Sequence, residues 1–265
     1  MLNIGIIGYG AIGKDVAGYI HSGFAGQVNL KSILVRNRNR LGREEDKALF
    51  EDHPSRFFDS GLDLVIEAAG HEAVKRYAVD SLTRGIDFLS VSVGAFSDEE
   101  LHRRAVEAAE RFGSRLIFPS AAIGGLDRIS AGNIGEIDQV TLSSKKPPQA
   151  WYGTPVEKQI DLKRVTKPVC VFEGSARESA RLFPENANVS AALSLAGIGF
   201  DRTRVRIFVD PDMTRNVHEV YVSGQFGEFR VQLSNAPSKN PKTGYIVAMS
   251  IIKALKDLSG PVMIL

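Results

Sequence analysis

The chain has 265 residues, enough for one large or two modest domains, and its apolar (43%) and charged (24%) fractions are average for a globular protein. A formal net charge of +2 gives no reason to expect a nucleic-acid or membrane partner. The single cysteine, Cys170, excludes an intrachain disulfide framework and a multi-cysteine zinc site, and no apolar run reaches the roughly 20 residues that cross a bilayer.

A glycine motif follows the first predicted strand. Residues 2–7 are an apolar run of strand length, Gly8, Gly10 and Gly13 then form G-x-G-x-x-G, and residues 14–21 continue at helical spacing. In this context the first glycine makes a tight turn, the second lets the backbone approach a pyrophosphate, and the third lets helix and strand pack closely. An ordinary turn with incidental glycines is the alternative. The predicted cofactor contacts here are Gly8, Gly10, Ala11, Ile12 and Gly13. Because the chain starts with a strand rather than a signal peptide, we expect a cytoplasmic protein.

The second predicted strand, residues 30–35, is followed by a basic residue. An acidic residue at this point would bind the ribose hydroxyls of NAD and repel a 2′-phosphate. Arg36, with Arg38 and Arg40 close behind, instead suits a 2′-phosphate. The sequence therefore favours NADP over NAD. Use of both cofactors, or a merely solvated basic strand end, are the alternatives.

The next strand, residues 63–68, leads into Ala69, Gly70 and His71. Ligands of parallel sheets bind at the carboxyl ends of strands, so these three residues are predicted to lie beside the cofactor. His71 as a simple helix-start residue is the alternative. A helix over 72–83, a strand over 86–92, a capped helix ending near 112 and a strand over 115–118 follow. This alternation predicts a doubly wound, mostly parallel α/β sheet over residues 1–120.

The pattern changes after Pro119. Residues 120–127 are small and flexible, which suits a domain crossing beside a ligand. Beyond residue 138, apolar residues alternate with period two. A hairpin is predicted at 224–227 and a helix over 188–197. We predict an α+β substrate domain over 121–243 with a mostly antiparallel sheet, and a terminal helix in 244–265 that returns to the first domain.

Of the five histidines, His218 is the one that lies in this second half. A nicotinamide cofactor carries the hydride, so the protein must orient the substrate and move a proton, which histidine does near neutral pH. His218 shares a strand face with Val220 and Val222, and on spacing alone a core-edge histidine is the better interpretation. Cys170 lies in an apolar strand and is predicted to be inert core. A cysteine-dependent aldehyde dehydrogenase is therefore disfavoured.

Nine segments together resemble the L-aspartate dehydrogenase family, and they extend over essentially the whole chain. They are G-Y-G-A-I-G at 8–13, E-A-A at 67–69, P-S-A-A-I-G-G-L-D at 119–127, K-K-P-P at 145–148, F-E-G-S-A at 172–176, F-P-E-N-A-N-V at 183–189, D-P at 210–211, N-V-H-E at 216–219 and N-P-K-T at 240–243. The first segment is common to many dehydrogenases, whereas the later ones are far more specific.

The resemblance implies a Rossmann domain followed by a catalytic α+β domain, commonly in a homodimer. It implies NAD(P)-dependent oxidative deamination of L-aspartate to iminoaspartate, which hydrolyses to oxaloacetate and ammonia or feeds pyridine-nucleotide biosynthesis. The family's catalytic histidine corresponds to His218, and its cofactor contacts in the second half correspond to Ala122 and Asn188. No metal site is expected.

Aspartate carries two carboxylates, so its site needs positive charge. Lys145, Lys146 and Lys242, the last with Thr243 beside it, are the candidate partners, and each could equally be a surface lysine. Two other functions stay open. One is a dihydrodipicolinate-reductase-like enzyme, whose paired-histidine motif is absent here. The other is a nucleotide-sensing protein without turnover.

Overall fold

The computed structural model describes residues 1–38, 47–183, 187–236 and 244–264. The chain divides into two compact units, Met1–Ala121 with Val247–Leu265, and Ala122–Ile246. Across the described residues, no helix is both long and apolar enough to span a membrane.

The first unit is built on a six-stranded parallel sheet, as the sequence predicts. Its strand order is β3-β2-β1-β4-β5-β6, and every neighbouring pair is parallel. This is the order of the dinucleotide-binding doubly wound folds. The strands are β1 (Leu2–Ile7), β2 (Val28–Leu34), β3 (Phe50–Glu51), β4 (Leu64–Glu67), β5 (Asp87–Ser90) and β6 (Leu116–Ile117).

Four helices connect these strands: α1 (Ala11–His21), α2 (Pro54–Phe58), α3 (His71–Thr83) and α4 (Glu99–Phe112). The ends of α4 follow its sequence signals. The Asp98 side chain accepts a hydrogen bond from the Leu101 amide at 3.1 Å, and Gly113 ends the helix at φ +67°. The predicted capped helix is therefore confirmed.

The C-terminal helix contributes to the core of the first unit. Its range is Tyr245–Ser259, and it is the last helix, α8, once the three helices of the second unit are counted. From Val247 onward its buried residues, among them Ile251 and Leu255, pack in one cluster with Ile4 and Ile33 of the sheet. Burial of this apolar stripe stabilises both the helix and the sheet.

The second unit contains a five-stranded sheet in the order β11-β10-β7-β9-β8. Its strands are β7 (Ile137–Lys146), β8 (Val169–Ser175), β9 (Arg204–Val209), β10 (Asn216–Gly224) and β11 (Gly227–Asn235). Among the described strands of this second sheet, β7 and β9 are the only parallel pair, so the sheet is mostly antiparallel, as predicted. The predicted hairpin joins β10 to β11.

Three helices accompany this sheet: α5 (Leu126–Gly132), α6 (Ala176–Leu182) and α7 (Ala187–Ala196). One sheet face is apolar and buried, including Val205, Ile207 and Val220. Helices pack closely on that face: a Cβ placed on Gly197, just after α7, would lie 3.0 Å from Ile129 of α5 and 3.3 Å from Val140 of β7.

Cys170 departs from its prediction. It is exposed, because β8 is the edge strand and its register shifts between Cys170 and Phe172. The Sγ atom donates a hydrogen bond to the Phe172 carbonyl oxygen at 3.3 Å. The apolar run predicts a strand, but it does not predict that the strand lies at the edge of the sheet.

Candidate functional site

The glycine turn between β1 and α1 is tightly built at two points and open at a third. Gly8 has φ +97°, and a Cβ there would lie 2.7 Å from the Ala69 Cβ. A Cβ on Gly13 would collide with the Gly8 carbonyl oxygen. By contrast, a Cβ on Gly10 would meet no described heavy atom within 4 Å beyond its chain neighbours. Backbone crowding explains the first and third glycines, and the space at Gly10 leaves its backbone accessible to a ligand.

The start of α1 is suited to an anion. Gly10 is the N-cap, Ala11 and Ile12 open the helix, and within the described residues no side chain caps it. The first turn also carries no acidic residue. Free N–H groups and the positive end of the helix dipole therefore remain for a phosphate group. These features fit a dinucleotide cofactor.

The carboxyl ends of β1 and β4 bring the first-unit candidates together. These neighbouring strands flank the point where the strand order reverses, which is where ligands of such sheets bind. Gly8 follows β1, and Ala69 and Gly70 follow β4. Gly70 adopts φ +111°, a conformation that favours glycine, and His71 is the half-buried first residue of α3.

A residue that sequence reasoning missed lies at this edge. Glu67, the last residue of β4, is completely buried. Its Oε1 accepts hydrogen bonds from the Ala69 amide (2.7 Å), the Gly70 amide (2.7 Å) and the Ser92 hydroxyl (3.0 Å). Its Oε2 accepts from the Ser90 hydroxyl (2.7 Å) and the Ser92 amide (3.3 Å). An acidic residue ending an otherwise apolar buried strand is the signal that could have identified it.

The basic residues after β2 differ in their surroundings. Arg36 is exposed. Arg38 donates to the Lys47 carbonyl oxygen at 2.9 Å, and its Nη1 lies 3.9 Å from a Glu51 carboxylate oxygen. Arg40 lies outside the described residues. Arg38 is therefore held against its own chain by these two contacts, whereas the exposed Arg36 takes part in neither of them.

In the second unit, His218 of β10 lies directly opposite Ser144 of β7. Its Nδ1 is 2.9 Å from the Ser144 Oγ, and the residue is 6% exposed. Burial, and then the charge of Lys146, lowers the pKa of His218 to about 4. The imidazole is therefore neutral near pH 7. When Nδ1 carries the proton and donates it to Ser144, Nε2 keeps a lone pair that can accept a proton.

Strand geometry separates the two neighbouring lysines of β7. Successive side chains of a strand point to opposite faces, so Lys146 shares the face of Ser144 and His218, whereas Lys145 lies on the other face. Lys146 is 9% exposed, and its Nζ lies 5.2 Å from the centre of the Trp151 ring. Lys242 and Thr243 lie outside the described residues.

The remaining predicted contacts are also in the second unit. The Ala122 carbonyl oxygen accepts a hydrogen bond from the Asn235 Nδ2 at 2.8 Å, and Asn188 is a half-buried residue in the first turn of α7. Ala121, immediately before Ala122, has φ +47° and is the only described non-glycine residue with positive φ. Such strain clusters at functional sites. Among the described residues, no group of three or more histidine, cysteine, aspartate or glutamate side chains could hold a metal ion.

The sheet order and the glycine turn define a dinucleotide-binding protein of the doubly wound class. Two family models match consecutive parts of the chain. The NAD binding domain of homoserine dehydrogenase covers residues 8–119, and the C-terminal domain of aspartate dehydrogenase covers residues 127–258.

Full-length relatives define the family more narrowly. The chain is 39% identical to an L-aspartate dehydrogenase of Methanosarcina acetivorans, over 100% of the chain and 99% of that protein. It is 41% identical to one of Pseudomonas aeruginosa, over 96% of the chain and 97% of that protein. The crystal structure of an aspartate dehydrogenase from Thermotoga maritima matches with a TM-score of 0.80 at 27% identity, covering 100% of this chain and 99% of that one. The chain belongs to the L-aspartate dehydrogenase family, which confirms the resemblance found in the sequence.

Proposed function

We propose that this protein is an NAD(P)-dependent L-aspartate dehydrogenase, which oxidises the carbon–nitrogen bond of L-aspartate or runs the reverse reductive amination. Full-length similarity to proteins of that name supports the proposal. The observation that carries it is the buried, neutral imidazole of His218 on a sheet face that also holds Lys146. Amino-acid oxidation requires a proton acceptor and a cation for the substrate carboxylates, and these two side chains supply both.

The first unit would hold the cofactor. Gly8, Gly10, Ala11, Ile12 and Gly13 would cradle the pyrophosphate at the start of α1. Ala69, Gly70 and His71 lie at the same edge of the sheet, and Ala122 and Asn188 are proposed contacts from the second unit. A pyridine nucleotide held there would supply the acceptor for the hydride of the substrate Cα–H bond. Exposed Arg36 favours a 2′-phosphate, so NADP is the proposed preference.

His218 would move the protons. The substrate amine must be deprotonated before its Cα–H bond is broken, and Nε2 of the neutral imidazole can accept that proton. A water molecule then adds to the C=N carbon of iminoaspartate. Once its first proton has passed to solvent, His218 can take a proton from this water and give it to the amine nitrogen. The hydroxyl proton is then lost as the C–N bond breaks, so that ammonia leaves and oxaloacetate remains. Ser144 would orient the ring through Nδ1, as a second group orients the base in other proton-transfer sites.

Lys146 would bind a substrate carboxylate. It shares a sheet face with His218 and is largely buried, so an ion pair there is little screened by solvent. Lys145 lies on the opposite face and is the weaker candidate. Lys242 and Thr243 stay predictions, as do a homodimer, a cytoplasmic location and a role in pyridine-nucleotide biosynthesis.

A spectrophotometric assay tests the function. Purified protein is mixed with NAD⁺ or NADP⁺ and with L-aspartate or L-glutamate, and reduced cofactor is followed over time. We expect reduction with L-aspartate and far less with L-glutamate. Equal rates with both acids would contradict the proposed substrate. Cofactor binding without any aspartate-dependent reduction would instead favour the nucleotide-sensing alternative.

A further inference from the structure

The buried carboxylate of Glu67 joins two separate segments of the first unit. It receives hydrogen bonds from the turn after β4, through the amides of Ala69 and Gly70, and from the end of β5, through Ser90 and Ser92. Five donors thus converge on two oxygens. The Ser92 amide is shared between Glu67 at 3.3 Å and the Ser90 Oγ at 3.1 Å, so the four shorter hydrogen bonds fill the acceptor positions of the carboxylate.

The turn held in this way forms one wall of the glycine turn. A Cβ on Gly8 would lie 2.7 Å from the Ala69 Cβ and 2.9 Å from the Ala68 carbonyl oxygen, so the two turns are in close contact. Any shift of residues 68–70 must therefore change the space around Gly8. The amides of Ala69 and Gly70 donate to Glu67, which fixes the direction of these peptide groups.

Glu67 does not suit direct contact with the cofactor. A carboxylate repels a pyrophosphate, and here it is completely buried with both oxygens taken by protein donors. Burying such a group is unfavourable unless its hydrogen bonds are all made. A carboxylate at this point is therefore best explained by what its hydrogen bonds hold in place.

We propose that Glu67 is a positioning residue for cofactor binding, which holds the turn after β4 against the glycine turn by bridging it to Ser90 and Ser92. This inference rests on the proposed use of a pyridine nucleotide. The proposal is that the affinity of the protein for its cofactor depends on Glu67, although Glu67 itself would not touch the cofactor. All five donors belong to the protein, so the network holds the turn without a contribution from the ligand, and such preorganisation favours binding.

Glu67→Gln tests the proposal directly. In either orientation of its amide, the glutamine NH₂ group faces at least one backbone N–H that now donates to Glu67, so the network cannot be completed. We expect the dissociation constants of NADPH and NADP⁺, measured by fluorescence titration, to rise about tenfold. The KM for L-aspartate at saturating cofactor should stay within about twofold of the wild-type value, because the substrate contacts are unchanged.

Asp87→Asn is the matched control. Asp87 is the first residue of β5 and so lies at the amino ends of the strands, away from the glycine turn. Its carboxylate accepts hydrogen bonds from the Arg115 backbone amide at 2.7 Å and from the Arg115 Nε at 2.8 Å. Both variants should lower the melting temperature of the cofactor-free protein, but only Glu67→Gln should weaken cofactor binding. Two serine substitutions form a second, less disruptive test and control. Ser90→Ala removes one donor to Glu67 and is expected to weaken NADPH binding about threefold. Ser114→Ala, its control, is expected to leave NADPH binding unchanged. Ser114 is a buried serine that donates to the Leu82 carbonyl oxygen at 2.9 Å.

The outcomes separate the positioning role of Glu67 from the proposed use of a pyridine nucleotide. Wild-type cofactor affinity in both Glu67→Gln and Ser90→Ala would overturn the positioning role. Equal weakening in the control variants would also overturn it, because the effect would then follow stability alone. If Glu67→Gln does not fold, the serine pair decides. Wild-type protein that binds neither NADH nor NADPH would refute the proposed cofactor itself.

Discussion

At the residue scale, three side chains of the second unit define the proposed chemistry. Ser144 and His218 face each other across two paired strands, and the charge of Lys146 acts on His218 from the same sheet face. Burial contributes most to the low pKa of the imidazole, and the nearby cation contributes next. The same cation can therefore serve two purposes, since it keeps the base neutral and attracts an anionic substrate.

His218→Ala should lower turnover by about 10²–10⁴-fold, the usual effect of losing a positioned general base. Affinity for NADPH should stay near the wild-type value. Because His218 is buried, the variant will also lose some stability, so a control for the cavity is needed. Val220→Ala removes a buried side chain from the same face of the same strand and should lower the melting temperature while keeping most of the turnover. If His218→Ala keeps more than about a tenth of wild-type turnover, the histidine is a core residue.

Lys146→Gln and Lys145→Gln form a second pair. If Lys146 binds a carboxylate, its loss removes a charge-assisted contact of ~1.5–3 kcal/mol, and the KM for L-aspartate should rise about tenfold or more. Lys145 lies on the opposite face, so its variant should stay within about twofold of the wild-type KM. Steady-state kinetics at saturating cofactor measures both. Equal effects of the two substitutions would refute the assignment to Lys146.

At the scale of the elements, the segment after β2 determines the proposed choice of cofactor. Arg36 is exposed, whereas Arg38 is hydrogen-bonded to its own chain. Arg36→Asp removes a partner for the 2′-phosphate and adds a like charge. It should weaken NADP⁺ binding about tenfold or more and leave NAD⁺ binding nearly unchanged. Calorimetric titration with both cofactors measures the ratio of the NADP⁺ and NAD⁺ dissociation constants. If Arg36→Asp leaves this ratio unchanged, Arg36 is simply solvated.

Elements with strong local signals could be predicted from the sequence. The alternation of strands and helices predicts the parallel sheet, and the Asp98 cap predicts the start of α4. The short helices α5 and α6, seven residues each, were missed because so few turns give little periodicity. Helix α6 does carry a recognisable capping box, in which the Ser175 side chain accepts from the Glu178 amide while the Glu178 side chain accepts from the Ser175 amide.

The candidate site was predictable only where its signal is local. The glycine spacing predicts the turn at Gly8, and strand alternation predicts the face of His218. The choice between Lys145 and Lys146 requires the register of β7 against β10, which no local pattern contains. Glu67 was missed for a related reason. Its partners Ser90 and Ser92 lie more than twenty residues away in the chain, and only the pairing of β4 with β5 brings them together.

At the scale of the whole molecule, His218 links protonation to the stability of the fold. Its pKa is about 4 in the folded protein, against about 6.5 in an unfolded chain. Between these values the unfolded state binds more protons, so stability falls as the pH is lowered from 6.5 to 4 and changes no further below that range on account of this residue. Carboxylates add their own pH dependence, which must be removed by comparison with a variant.

His218→Gln provides that comparison, because glutamine does not titrate while the carboxylates stay the same. The difference between a pKa of about 4 in the folded protein and about 6.5 in the unfolded chain corresponds to about 3 kcal/mol. Any stability advantage of the wild type over the variant should therefore shrink by up to this amount between pH 7 and pH 4, as measured by urea unfolding of the cofactor-free protein. Val220→Ala, which removes a buried side chain of the same strand but no titratable group, should run parallel to the wild type throughout. Parallel curves for His218→Gln and the wild type would show that His218 titrates alike in the folded and unfolded chain, and its role as a neutral base would then lose its physical support.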